Sequence, residues 1–142
     1  MKKLSLILIA SLFISIAQAQ TKHTVGEKYG GGIVFYVDST GQHGLIAAER
    51  DLSGKYTWQK AKEKCQNLRL NGFNDWYLPN KEEMNKLYLN QAVVGGFASG
   101  DYWSSSENDN KSAWSQSFSN GNKKKYYSFN GTTMNVRAGR AF

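Results

Sequence analysis

Apolar residues fall first into one almost unbroken block, Leu4 to Ala17, between the basic start Met1-Lys2-Lys3 and the small-x-small triplet Ala17-Gln18-Ala19. That order is the pattern of a secretory leader, residues 1–19, cleaved before Gln20. As a helix the block would span about 21 Å, short of a hydrocarbon core of roughly 30 Å, so a membrane anchor fits it less well. No cysteine follows the block where a lipoprotein anchor would need one.

After the leader the pattern becomes that of a small mixed domain. Gly30-Gly31-Gly32 precedes Ile33-Val34-Phe35-Tyr36-Val37, a β-branched and aromatic run of strand length. Asp38 to Gln42 is turn chemistry, and Gly44-Leu45-Ile46-Ala47-Ala48 reads as the returning strand of a hairpin. Trp58, Ala61, Cys65 and Leu68 recur at helical spacing, with Lys60, Lys62, Glu63 and Lys64 on the other face. Asn71-Gly72 reads as the C-cap of that helix. Asn80 with Glu83 three residues on, just after Pro79, predicts a second helix with Met84, Leu87 and Tyr88 as its buried stripe.

From Val93 onward glycine, serine and asparagine dominate, with aromatics at intervals. Tyr102 to Ser105 reads as a strand entering a polar loop, Ser106 to Asn110. Trp114, Gln116 and Phe118 alternate with Ser115 and Ser117, the period of a half-buried strand. Ser119 to Asn122 is a turn, Lys123 to Phe129 a further strand, and Met134 to Ala138 a closing one. No solenoid or propeller period is present. The expectation is one α+β domain over residues 20–142, two helices packed on short antiparallel strands.

Composition narrows the chemistry. The 142 residues include one cysteine and two histidines. An intrachain disulfide is excluded, as is any Cys-x-x-Cys zinc or redox site. Cys65 is then a buried small hydrophobe or a dimerising thiol, and its place on an apolar helix stripe favours burial. No Gly-x-Ser-x-Gly elbow, ordered Ser-His-Asp set or metal triad appears, so the chain reads as non-enzymatic.

The formal charge of +7 is more informative once divided. Removing Lys2 and Lys3 with the leader leaves sixteen basic against eleven acidic side chains, or +5. Residues 20–109 hold ten basic and eleven acidic groups, whereas residues 110–142 hold Lys111, Lys123, Lys124, Lys125, Arg137 and Arg140 and no acid. The whole excess sits in the last 33 residues.

Several stretches, taken in order, resemble the secreted bacterial domain family typified by the C-terminal domain of the Legionella collagen-like adhesin. They are Gly31 to Tyr36, Gly44 to Ala48, the Trp58-Ala61-Cys65-Leu68 stripe, and Gly72-Phe73-Asn74-Asp75-Trp76-Tyr77-Leu78-Pro79 with Glu83 and Leu87-Tyr88. Tyr102-Trp103-Ser104-Ser105-Ser106-Glu107, Ala113-Trp114 and Val136-Arg137-Ala138-Gly139-Arg140 complete the set. The resemblance implies a C-type-lectin-like fold, related to the formylglycine-generating-enzyme fold, in a secreted, periplasmic or cell-surface module. It also implies association with sulfated polysaccharide and self-assembly into a homo-oligomer. This chain carries no collagen-like Gly-x-y repeat.

Three sets of candidate site residues follow. Lys111, Lys123, Lys124 and Lys125 suit an anionic polysaccharide, with extracellular DNA a secondary partner of the same charge; the competing reading is a solvated turn. Arg137 and Arg140 could grip sulfate bidentately, but as members of a family element they read better as structural ion pairs to Asp75 or Glu107. Tyr126 and Tyr127 adjoin the lysines, and in a regular strand one of them faces outward as a saccharide platform. Trp58, Trp76, Trp103 and Trp114 read as core. Asp101, Glu107 and Asp109, with Asn108 and Asn110, gather oxygen ligands suited to calcium, although they match no EF-hand loop and the Glu-Pro-Asn triplet of sugar-binding lectins is absent. The expected function is a secreted, adhesin-like binder of anionic or sulfated polysaccharide. The alternative is a structural or protein-interaction component of the bacterial envelope.

Overall fold

A computed structural model describes residues 19–142; the leader read at residues 1–19 lies outside the described residues apart from Ala19. No helix among the described residues is long and apolar enough to cross a membrane. The described residues are α+β, with two sheets and three helices. Strands β1 (Lys28–Tyr29), β2 (Gly32–Val37), β3 (Gly44–Ala47) and β7 (Gly139–Ala141) form one antiparallel sheet in the order β1-β2-β3-β7. Strands β4 (Asp101–Asp109), β5 (Ser112–Ser117) and β6 (Lys123–Tyr127) form the other, in chain order. Helices α1 (Trp58–Gln66), α2 (Lys81–Leu89) and the short α3 (Gln91–Val94) lie between.

The apolar run of β2 is continuous because both of its faces are covered. Val34 and Ile46 enter one core with Trp58, Ala61 and Cys65 of α1, together with Trp76, Trp103, Ala113 and Val136. Phe35 and Ala47 enter a second core with Met84 and Leu87 of α2, Tyr102 and Phe118. Strand alternation sends the adjacent Val34 and Phe35 to different cores, and a bulge lies between Val34 and Tyr36. Gly44 permits the close approach of β3, since a Cβ there would stand 2.1 Å from the Tyr36 carbonyl oxygen.

The stretches that carry the family resemblance interlock. The Ser105 N–H donates to the Pro79 carbonyl at 2.9 Å, and the Lys81 N–H donates to Ser106 Oγ at 2.9 Å. The Trp58 indole N–H donates to the Ser104 carbonyl at 2.8 Å. At α2 the capping box is complete: Asn80 Oδ1 accepts from the Glu83 N–H at 2.9 Å, and Glu83 Oε1 accepts from the Asn80 N–H at 3.0 Å. The Tyr77 hydroxyl donates to the second Glu83 oxygen at 2.6 Å.

Four local expectations are corrected. Helix α1 ends at Gln66, and Asn71-Gly72 instead turns a two-residue hairpin in which Leu70 and Phe73 exchange backbone hydrogen bonds. Positive φ at Asn71 (52°) and Gly72 (81°) is what such a turn demands. The predicted loop Ser106 to Asn110 is mostly strand, since β4 runs to Asp109 with register shifts between Trp103 and Asp109. Along β5 every residue is buried except Trp114, so Ser115 and Ser117 lie inside and Trp114 is the half-buried residue. Met134 and Asn135 make only isolated bridges, and the closing strand is β7.

Candidate functional site

Strand β6 is an edge, paired with β5 on one side only. Lys123, Lys124, Lys125 and Tyr127 are exposed along it. Alternation puts Lys123, Lys125 and Tyr127 on one face and Lys124 and Tyr126 on the other. Tyr126 turns inward and meets Trp103 edge-on at 6.4 Å between ring centroids. Tyr127 is the outward member of the pair, 65% exposed.

On the Lys125 face the neighbouring strand presents Trp114, its register partner. Lys125 Nζ stands 5.0 Å from the Trp114 ring centroid, and Lys81 Nζ, from the first turn of α2, stands 3.8 Å away. A lysine at a helix N-terminus opposes the macrodipole; the indole face offsets that cost by a cation–π contact of about 0.5–1 kcal/mol. Farther along, Tyr127, Phe129 (67% exposed), Lys111 and Asn130 line a shallow recess, and the Ser128 N–H donates to the Lys111 carbonyl at 2.8 Å. The result is a strip of cations alternating with aromatic faces: Lys81, Trp114, Lys125, Tyr127 and Phe129, with Lys111 beside it. Lys123 extends this face and Lys124 lies across it, with its Nζ 4.0 Å from Asp101.

Arg137 and Arg140 do not join the strip, which corrects their candidacy as ligand contacts. Arg137 is fully buried: its Nε donates to Asp51 Oδ1 at 2.7 Å, and its Nη atoms donate to the carbonyls of Ala48, Gly95 and Gly96 at 3.0, 3.2 and 2.7 Å. Its guanidinium also lies 3.9 Å from the Phe97 ring centroid. The other Asp51 oxygen accepts from the Tyr102 hydroxyl at 2.6 Å. Burial, followed by that carboxylate acceptor, raises the Tyr102 phenol above its ordinary value. Arg140 grips Asp75 with Nε and Nη2 at 2.8 and 3.0 Å and donates to the Gly30 carbonyl at 2.8 Å. Asp75 is a partner that the sequence suggests and Asp51 is not, because nothing in Glu49-Arg50-Asp51 distinguishes the half-buried acid from its exposed neighbours.

These internal pairs redistribute the surface charge. With Asp51 and Asp75 neutralised by arginines from the C-terminal segment, residues 20–109 keep ten basic against nine acidic groups. Residues 110–142 keep four exposed lysines.

The calcium candidates are not gathered. Asp101 sits at one end of β4, Glu107 and Asp109 near the other. Asp109 accepts from the Lys111 N–H at 2.9 Å and the Ser112 hydroxyl at 2.8 Å, and these donors hold its carboxyl below the ordinary range. Among the described residues no three His, Cys, Asp or Glu side chains group as a metal site would. Cys65 is fully buried, and burial pushes its thiol up to about 12.

Comparison with protein families matches residues 38–140 to the Lcl C-terminal domain, a family of adhesin-type domains. No curated protein matches the chain.

Proposed function

The chain belongs to the Lcl C-terminal domain family, and from that membership we propose a secreted, non-enzymatic binding module of C-type-lectin-like architecture whose ligand is an anionic or sulfated polysaccharide. The observation that carries the reading is the strip on the outer sheet. Lys81, Lys125 and Lys111 supply ammonium groups for sulfate or carboxylate oxygens. Trp114, Tyr127 and Phe129 supply flat apolar faces for the C–H faces of sugar rings. The lysines on the edge strand also keep it from pairing with another sheet, so the edge stays open to an extended chain.

Heparin affinity tests this. The protein should elute above physiological ionic strength, with strong salt dependence because exposed charges are screened over about 8–10 Å. Lys123, Lys124 and Lys125 all changed to Ala should shift elution to lower salt, and Trp114→Ala should weaken binding without changing net charge. Elution below physiological salt, or elution unmoved by the triple substitution, rejects the reading. A protein-interaction role in the envelope is favoured by one separate feature, the exposed Leu89 (70%) and Val93 (55%) at the α2–α3 corner. Capture of a single protein partner, undisturbed by added polysaccharide and lost in Leu89→Ser, would favour that role.

A further inference from the structure

A cleft of about 390 Å³ opens between the segment following β3 and the stretch joining α1 to the Asn71-Gly72 turn. That volume lies within the range of small-molecule sites. None of its lining residues belongs to the basic strip. Its floor is apolar, made chiefly by Leu52, Leu68, Leu70 and Ala138.

Of the three charged residues that line the cleft, the acids Glu49 and Asp51 have basic partners outside it and Arg50 has none among the described residues. Asp51 is committed to Arg137 and Tyr102, and Glu49 faces Lys28 at 3.8 Å. Arg50 is exposed and enters no ion pair or hydrogen bond among the described residues. Asn71, held at φ 52° by its turn, donates its side-chain N–H to the Gly31 carbonyl at 2.7 Å. That bond fixes the carboxamide and leaves its oxygen as an acceptor at the rim. Ser53 adds a hydroxyl. The cleft thus offers a cation, a fixed acceptor and an apolar floor.

The geometry points to a second ligand site in this cleft, one that takes a terminal sugar residue bearing both a carboxylate and an N-acyl group. The carboxylate meets the Arg50 fork, which suits planar, bidentate recognition. The amide N–H of the ligand donates to Asn71 Oδ1, and the acyl methyl rests on Leu68 and Leu70. Two shallow grooves adjoin the cleft and share Asn71, one past Arg69 to Asn74 and one past Lys28 to Gly32. They give the rest of a glycan chain a way out on either side. The inference rests on the reading that the chain binds extracellular glycans, but not on the basic strip.

The test is titration calorimetry on residues 20–142 with N-acetylneuraminic acid as the probe. Glucuronic acid lacks the acyl group and N-acetylglucosamine lacks the carboxylate, so each removes one recognised feature. N-acetylneuraminic acid should bind saturably, and each partial probe about tenfold more weakly. Arg50→Gln should lower affinity for N-acetylneuraminic acid by about tenfold and leave N-acetylglucosamine unchanged, because only the former loses a charged contact. Leu68→Ser, with its melting curve recorded alongside, should weaken both acylated probes and spare glucuronic acid. No saturable binding, equal binding of the three sugars, or an unchanged affinity in Arg50→Gln overturns the proposal. The triple lysine-to-alanine variant separates the two sites. If it loses heparin and keeps N-acetylneuraminic acid, both sites stand; if wild type binds heparin but not the acidic sugar, the cleft falls alone.

Discussion

Removing the carboxylate of Asp51 should be among the most damaging single changes this domain can suffer. Arg137 has no solvent exposure, and among the described residues Asp51 is its only anionic partner; its other three acceptors are backbone carbonyls. In Asp51→Ala the guanidinium stays buried, because nothing lets it swing out, and its charge goes uncompensated. Breaking a buried pair in this way costs about 3–5 kcal/mol. The Tyr102 hydroxyl loses its acceptor in the same step. Small domains have about 5–15 kcal/mol in total. At roughly 4 °C per kcal/mol for a domain of this size, the melting temperature should fall by about 12–20 °C.

The contrasting case is Asp75→Ala. The Asp75 side chain is 53% exposed although Arg140 is only 9% exposed, so water can reach the vacated position, and the expected cost is about 1–2 kcal/mol. Urea and thermal unfolding followed by circular dichroism, with both probes required to coincide, give the two values. A double-mutant cycle adds a sharper criterion. In an Arg137→Met background, Asp51→Ala should cost about 2–3 kcal/mol less than in the wild type, since the charge that needed a partner is gone. The reasoning is refuted if Asp51→Ala costs under about 1 kcal/mol, if Asp75→Ala costs as much, or if the cycle shows no coupling.

Three further outcomes are expected. Cys65, its thiol raised by burial to about 12, should resist a disulfide reagent at pH 8 in the folded protein and react fully in denaturant; fast labelling of the native chain, or a disulfide-linked dimer on a non-reducing gel, would contradict this. Gly44→Ala should cost about 3 kcal/mol, the upper end of overpacking, because the new methyl meets the Tyr36 carbonyl at 2.1 Å. Gly54→Ala, strained at φ 90° but with no atom within 4 Å, should cost only about 1 kcal/mol, and a reversed order would sink the argument. In acid, the Asp75 carboxyl is held below its ordinary value of 3.8, first by the Arg140 hydrogen bonds, so the unfolded state takes up the proton more readily. Stability from this group is therefore present above pH 3.8 and lost as pH falls through the lower folded value. Melting temperatures should be level between pH 7 and 5 and drop below pH 4, with a shallower drop in Asp75→Asn; an identical drop in that variant would refute the assignment.

What could be read along the chain was whatever depends on local periodicity. The α1 stripe is set by spacings of three and four, the α2 capping box by a spacing of three and the β2–β3 hairpin by alternation; all form where the spacing puts them, except that Leu68 lies past the end of α1. What could not be read depends on distant partners. Ser106 to Asp109 is polar enough for a loop, yet pairs with β5 because β5 brings its own backbone to meet it. Trp114 alternates like a core residue but is left at the sheet surface, since the α2 residue that reaches it is Lys81 and not an apolar side chain. Asn71-Gly72 fits a helix cap and a hairpin turn equally well, and only the Leu70–Phe73 pairing decides between them. The cleft is the extreme case, assembled from residues 48–53, 68, 70, 71 and 138, with no common motif.

The same distinction explains why family membership and ligand identity come apart in this protein. Each stretch that carries the resemblance is used internally: Pro79 by Ser105, Ser104 by Trp58, Arg137 by Asp51, Arg140 by Asp75. Substituting any of them disturbs packing before it disturbs a surface. The cations that line the strip and the cleft, Lys81, Lys111, Lys123, Lys125 and Arg50, lie outside those motifs, and so do the exposed Tyr127 and Phe129. Side chains in such positions can change without unfolding the scaffold, whereas Trp114, the one strip residue inside a shared stretch, is held half-buried between Lys81 and Lys125. A basic composition therefore says little until its arginines are sorted from its lysines. Here the two C-terminal arginines hold the frame, and the four C-terminal lysines, with Arg50, stay exposed at the surface.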